Sequence, residues 1–246
     1  MQFQPYKIES LEPRADWWRV RVDEIIDFCS RIKRGRTETI ADTPGGYPVK
    51  AIYYNCEPLK DPGVNWSAAA SSSRPEKIGA PEKQTVVLCG GIHGAEPEGV
   101  AALLNVISLM EFGVDLRGKS NDKLLALLNE YRLIILPCVN MDGRSICPDH
   151  LRKATYEQFR TASQGAWENG NFIDWRESKE YFPLPLEKVK FPGGYPNGEG
   201  YNIMHDCANV RTAEATAVYE LVEKEQVDLF LNLHSCEGGP FLIVPS

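Results

Sequence analysis

No stretch of this sequence is apolar for the ~18 consecutive residues that a bilayer-crossing helix needs. The opening MQFQPYKIES lacks the basic start and apolar middle of an export signal, so the expected location is the cytoplasm. A basic excess is missing too. Lys and Arg number 27 against 34 Asp and Glu, a net charge of −7, and neither nucleic acid nor an anionic membrane surface is an expected partner. The seven cysteines are odd in number, scattered, and form no CxxC pair; they read as mostly buried free thiols rather than a disulfide framework or a thiolate metal site. The absence of GxSxG disfavours a serine hydrolase. No GxxxxGK[ST] run follows an expected strand, which disfavours a phosphate-binding loop.

What is present is an alternation of two periodicities. In ADWWRVRVDEIIDFCSRIK the apolar residues Trp18, Val22, Ile25, Cys29 and Ile32 recur at helical spacing and predict an amphipathic first helix. The turn signal TPGGYP precedes VKAIYYN, a strand by its β-branched and aromatic content. Residues 61–84, rich in Pro, Ser, Ala and Gly, are expected to be a long surface loop. Then come a strand in TVVLCGG, a helix in EPEGVAALLNVISLMEF with Pro97 in its first turn, a helix in NDKLLALLNE, and a strand in YRLIILPCVN. From about Asp142 to Ala208 little regular structure is expected. A helix in TAEATAVYELVEKEQ with Thr212 as N-cap leads to a strand, VDLFLNLHS, ending at His234, and FLIVPS is a candidate for another. This βα spacing predicts a single α/β domain over 1–246, its sheet covered by helices on both faces.

In such sheets function gathers beyond the carboxyl ends of the strands, and His93, Glu96, Asn140, Asp142 and His234 all fall there. A histidine and a carboxylate on one turn, joined by a distant histidine, supply three protein ligands to a zinc ion and leave a fourth position for water, the ligand count of a catalytic site. The small residues in His93-Gly94-Ala95-Glu96 let the turn fold tightly, and Gly90-Gly91 is expected to let a substrate or metal approach the backbone.

Three segments together resemble the zinc carboxypeptidases related to carboxypeptidase A, and their acylase relatives of the succinylglutamate desuccinylase and aspartoacylase type. GGIHGAEPEG is similar to the family's strand, HxxE ligands and helix start; VNMDGR to its Asn-Pro-Asp-Gly turn; LNLHS to the segment of its third ligand. The resemblance runs over about residues 45 to 246. It implies a twisted mixed, largely parallel β-sheet with helices on both faces, one Zn2+ on His93, Glu96 and His234, and a water-mediated cleavage of a peptide or amide bond. It further implies an arginine at the oxyanion, Arg152 in HLRKAT or, second, Arg144.

The sequence departs from the family in two places. The family's carboxylate anchor lies in a segment resembling Gly-x-Asp-x-Asn-Arg; here GYNIMHD puts Met204 and His205 where Asn and Arg are expected. Asn140, Arg144, His205 and Arg211 are then the candidates for substrate binding. The family's general-base glutamate lies on a late strand well beyond the third ligand, and this sequence stops at Ser246, twelve residues after His234. The domain is therefore expected to be incomplete at its C-terminus, and the chain to bind zinc but hydrolyse poorly. Glu237 is the nearest carboxylate after His234 and is expected to be a loop residue. The leading expectation is a metallocarboxypeptidase-like hydrolase. The alternatives are an N-acyl amino acid deacylase and a non-catalytic binding protein that keeps the zinc site, with a peptide or N-acyl amino acid as the partner in each.

Overall fold

The apolar runs form strands whose successive side chains enter two different cores. A computed structural model describes residues 3–9, 11–57, 83–208 and 211–235. Its main sheet contains β1 (Arg36–Asp42), β2 (Pro48–Tyr54), β3 (Thr85–Gly90), β4 (Arg132–Leu136) and β7 (Leu229–Leu233), in the order β1-β2-β4-β3-β7; β5 (Ala166–Trp167) and β6 (Val189–Phe191) form a separate antiparallel pair. β4, β3 and β7 run parallel, whereas β1 pairs with β2 and β2 with β4 antiparallel. The sheet is mixed, with its parallel part at the three strands whose ends carry the candidate chemistry.

Ile52, Tyr54, Leu133 and Ile135 enter a core shared with α1 (Val22–Ser30) and α2 (Pro97–Phe112); Ala51, Tyr53, Val87, Cys89, Ile134 and Leu136 enter the opposite core. This period-two division is what a sheet covered on both faces requires. Val100, Leu103, Leu104 and Ile107 of α2 are all buried in the first core, and α2 ends at Gly113, whose left-handed φ of 75° lets its N–H reach Leu109 O. On the other face lies α7 (Ala213–Glu225), capped by Thr212, whose side chain accepts from Ala215 N. Between them are α3 (Asp122–Asn129), α4 (Met141–Ile146), α5 (Tyr156–Gln164) and α6 (Glu177–Glu180). No described helix is long and apolar enough to cross a membrane.

Three features differ from the sequence expectation. The first helix starts only at Val22, because Glu24 accepts from the backbone N–H groups of Val20 and Arg21 and closes the helix end there; Trp18 packs on the same core from an irregular segment, its indole donating to Asp149 O at 2.8 Å. β1 was not expected: RTETIAD is polar, and as an edge strand it shows a mainly exposed and half-buried pattern. The segment after Asp142 contains several short elements, among them α5 with a Thr155–Gln158 capping box. The stretch GVDLRGKS (113–120) does carry GxxxxGK[ST] spacing, but it follows α2 rather than a strand. Its Arg117 and Lys119 N–H groups donate to the chain's own Asp115 carboxylate at 2.8 and 2.9 Å, so a side chain fills the place an anion would take. The 61–82 part of the expected loop, Glu237 and FLIVPS lie outside the described residues.

Candidate metal centre

β3 and β7 are neighbours, and the parallel ladder that joins them sets Gly90 against Leu233. His234 follows Leu233 directly. On the β3 side the chain turns, with Glu96 N donating to His93 O at 3.0 Å, and Glu96 becomes the N-cap residue of α2 ahead of Pro97. The two exits converge on one carboxylate. His93 Nδ1 stands 3.0 Å from Glu96 Oε1 and His234 Nδ1 2.9 Å from Oε2, while Ser235 N donates to Oε2 at 3.0 Å. Burial would push the Glu96 carboxyl up, but the His234 and His93 nitrogens and the Ser235 N–H outweigh it and hold it down at about 2.

An imidazole nitrogen at this distance from a carboxylate oxygen is held there by a shared proton or a shared cation. The three ligand atoms lie within 4.8 Å of one another, and the two N···O separations approach the ~3.3 Å edge of a tetrahedron with ~2.0–2.1 Å metal bonds. Two nitrogens and one carboxylate suit a borderline divalent ion such as zinc. The far side of the His93 ring is fixed as well: Nε2 lies 3.2 Å from Asn202 Oδ1, and a proton on Nε2 donated there leaves the Nδ1 lone pair facing the site.

Glycine governs how the ligand turn is supported. A Cβ on Gly94 would stand 2.1 Å from Arg144 N, one on Gly143 would stand 2.4 Å from Gly194 O, and one on Gly194 would stand 2.3 Å from Cys147 Sγ. Three backbones (the ligand turn, the NMDG turn and the GGY segment) thus meet at a distance only glycine permits. Gly94 N donates to Gly194 O at 2.7 Å across this contact. Gly90 and Gly91, expected to give room to a substrate or metal, are instead packed closely: a Cβ on the first meets Leu103 and the Pro137 carbonyl, on the second Cys138 Sγ. Their smallness seats β3 against α2 and the β4 exit.

The other candidates are distributed differently. Asn140 is fully buried; its Oδ1 accepts from Gly143 N, and its Nδ2 donates to the carbonyls of Gly194, Tyr195 and Pro196. Asp142 accepts from Thr43, Gly45 and Gly198 and ties two loops together. Arg144 is buried, and its guanidinium donates to the carbonyls of Gly94, Cys147 and Pro148. Arg152 is exposed, in a segment whose His150 and Lys153 both contact Glu12. His205 and Arg211 have exposed side chains on either side of Asp206, which accepts from Arg211 N and Thr212. Met204 is half-exposed and its sulfur accepts from Asn232 Nδ2. Clefts of about 400 and 450 Å3 run along the N-terminal segment, and none of His93, Glu96 and His234 lines either.

Sequence reading missed two residues at the centre. Asn202 sits at the Asp position of the Gly-x-Asp-x-Asn-Arg pattern, a signal that was present. Tyr195, whose ring stacks on His93 with centroids 4.2 Å apart, belongs to no pattern and is brought in only by the fold.

Among solved structures, a candidate carboxypeptidase from Burkholderia mallei is similar at 15% identity with a TM-score of 0.51, covering 97% of this chain and 42% of its own. A metallo-carboxypeptidase from Burkholderia cenocepacia (15% identity, TM-score 0.49) covers 88% and 40%, and bovine thrombin-activatable fibrinolysis inhibitor (14%, 0.47) covers 90% and 62%. The chain thus spans about two fifths of the length of the two bacterial proteins. No curated protein matches it. A family model described as zinc carboxypeptidase matches residues 36–239, a span that contains every strand of the main sheet and all three residues of the ligand cluster, and the chain belongs to the zinc carboxypeptidase family.

Proposed function

We propose that this chain carries a zinc-dependent site for hydrolysis of peptide or amide bonds, with His93, Glu96 and His234 as the ligands. The observation that carries this reading is the convergence of two Nδ1 atoms and one ionised carboxylate from adjacent strand exits. When bound, the ion supplies Lewis acidity that polarises an amide carbonyl and activates water. The residues of the chain do the rest. Asn202 holds the His93 tautomer, Glu96 neutralises part of the ionic charge, and the glycine contact keeps the turn rigid. Arg152, exposed on its turn, is the arginine that the family pattern assigns to the oxyanion.

Met204 and His205, in place of an Asn-Arg pair, support a second reading, a binding protein that keeps the metal without the carboxylate anchor. Elemental analysis of the purified chain tests the first part. About one zinc per chain is expected, lost in His93→Ala and in His234→Ala. Zinc content indifferent to both substitutions would refute the site. Turnover assays on peptides with a free C-terminus and on N-acyl amino acids then separate the two substrate classes. Metal without turnover of either favours the binding protein.

A further inference from the structure

We propose that Tyr195 is a positioning residue of the metal centre: it holds the His93 imidazole by stacking, so that this β3-exit ligand stands in place before an ion arrives. This rests on the zinc reading above and adds to it a residue that no motif identifies.

The stack is close and nearly parallel, with centroids 4.2 Å apart and planes 19° apart. One face of the imidazole is therefore covered by Tyr195 while its far nitrogen is held by Asn202, and the ring has little freedom left about its side-chain torsions. Tyr195 is not free to move. Its N–H donates to Ser163 O at 3.0 Å and its carbonyl accepts from Asn140 Nδ2 at 3.0 Å, and the preceding Gly194 N donates to Ala162 O at 2.9 Å.

The consequence concerns His93 Nδ1, which now stands 3.0 Å from Glu96 Oε1. When that nitrogen faces an ion instead, the ring is still oriented by the Tyr195 stack and the Asn202 contact, and groups that orient ligands in this way typically contribute ~10–100-fold to metal affinity.

The test is a zinc titration by competition with a chromophoric chelator on the wild-type chain, Tyr195→Phe, Tyr195→Leu and His93→Ala, with thermal melts of each without metal. Phe keeps an aromatic ring for the stack; Leu removes it. Expected are a zinc affinity lowered about 10-fold or more in Tyr195→Leu, beyond what any change in its metal-free melt accounts for, visible bands of the Co2+-loaded protein shifted in the same variant, and near wild-type affinity and spectrum in Tyr195→Phe. Wild-type affinity and an unchanged cobalt spectrum in Tyr195→Leu, while His93→Ala loses the metal, would overturn this inference and leave the zinc site standing. So would a loss of affinity that merely tracks a lowered metal-free melting temperature. A wild-type chain that takes up no zinc would overturn both.

Discussion

At Gly94 the distance between two backbones leaves no place for a methyl group: Gly143 C and Arg144 N would stand 2.2 and 2.1 Å from it. Gly94→Ala therefore has to separate the ligand turn from the NMDG turn, and with it the hydrogen bond from Gly94 N to Gly194 O. A loss of about 3 kcal/mol or more in urea unfolding, together with weakened zinc uptake, is the expected result. Arg144 supports the same contact from the other side. Replacing it by Met leaves the Gly94, Cys147 and Pro148 carbonyls without their donor, at about 1–3 kcal/mol for each acceptor that stays buried. Lys restores only part of this, because one ammonium lacks the spread of a guanidinium. In sequence Arg144 was a candidate for substrate, since its neighbours formed a recognisable turn; that it is buried and donates inward depends in part on Gly94, 50 positions away, which nothing local reveals. His93, Glu96 and His234 were legible because strand exits are marked by the ends of apolar runs. Tyr195 was not, because nothing local says that the segment near residue 200 returns over those exits; Asn202 lay in GYNIMHD, a stretch read only for the carboxylate anchor.

Among the elements, those with a strong apolar signature were readable: β3, β4, β7, α2, α3 and α7 lie within the stretches that predict them, and β2 starts one residue before its stretch, at Pro48. β1 was not, because an edge strand half in water needs no apolar run. α5 illustrates a weaker signal, its Thr155–Gln158 box lying in a polar stretch. Thr155→Ala should cost about 1 kcal/mol in unfolding experiments. The first turn of α7 makes a pH prediction. Glu214 is fully buried, and its two oxygens each accept from Asn197 Nδ2 at 3.2 Å. Burial outweighs these donors and, with the nearby Asp142 and Glu199 charges, pushes the carboxyl up to about 7. A carboxyl with a folded pKa above its unfolded value binds its proton more tightly when folded. Its stabilising contribution is complete below the unfolded value and is lost as pH rises through about 7, a change of roughly 3 kcal/mol at most. Melts of wild type and Glu214→Gln between pH 5 and pH 8 should show the wild-type curve falling relative to the variant. Parallel curves would remove Glu214 as the cause.

For the molecule as a whole, a ligand bound only by the folded state adds stability by mass action, about 2.7 kcal/mol at a hundredfold excess over its dissociation constant. Added Zn2+ should therefore raise the melting temperature of the wild-type chain, a chelator should reverse it, and His234→Ala should melt at one temperature with or without metal. The ladder between β3 and β7 gives this coupling a direction. Gly90 lies opposite Leu233, so the separation of the two ligand exits derives from the ~4.8 Å spacing of paired strands. The backbone is the ruler against which the ligands are set. A slip of one residue in that pairing would displace His234 by ~3.3 Å and turn it to the other face of the sheet, so an ion gripped by both histidines also reads the register of the sheet. Metal should accordingly slow amide hydrogen exchange along β7 first, in residues that never touch it.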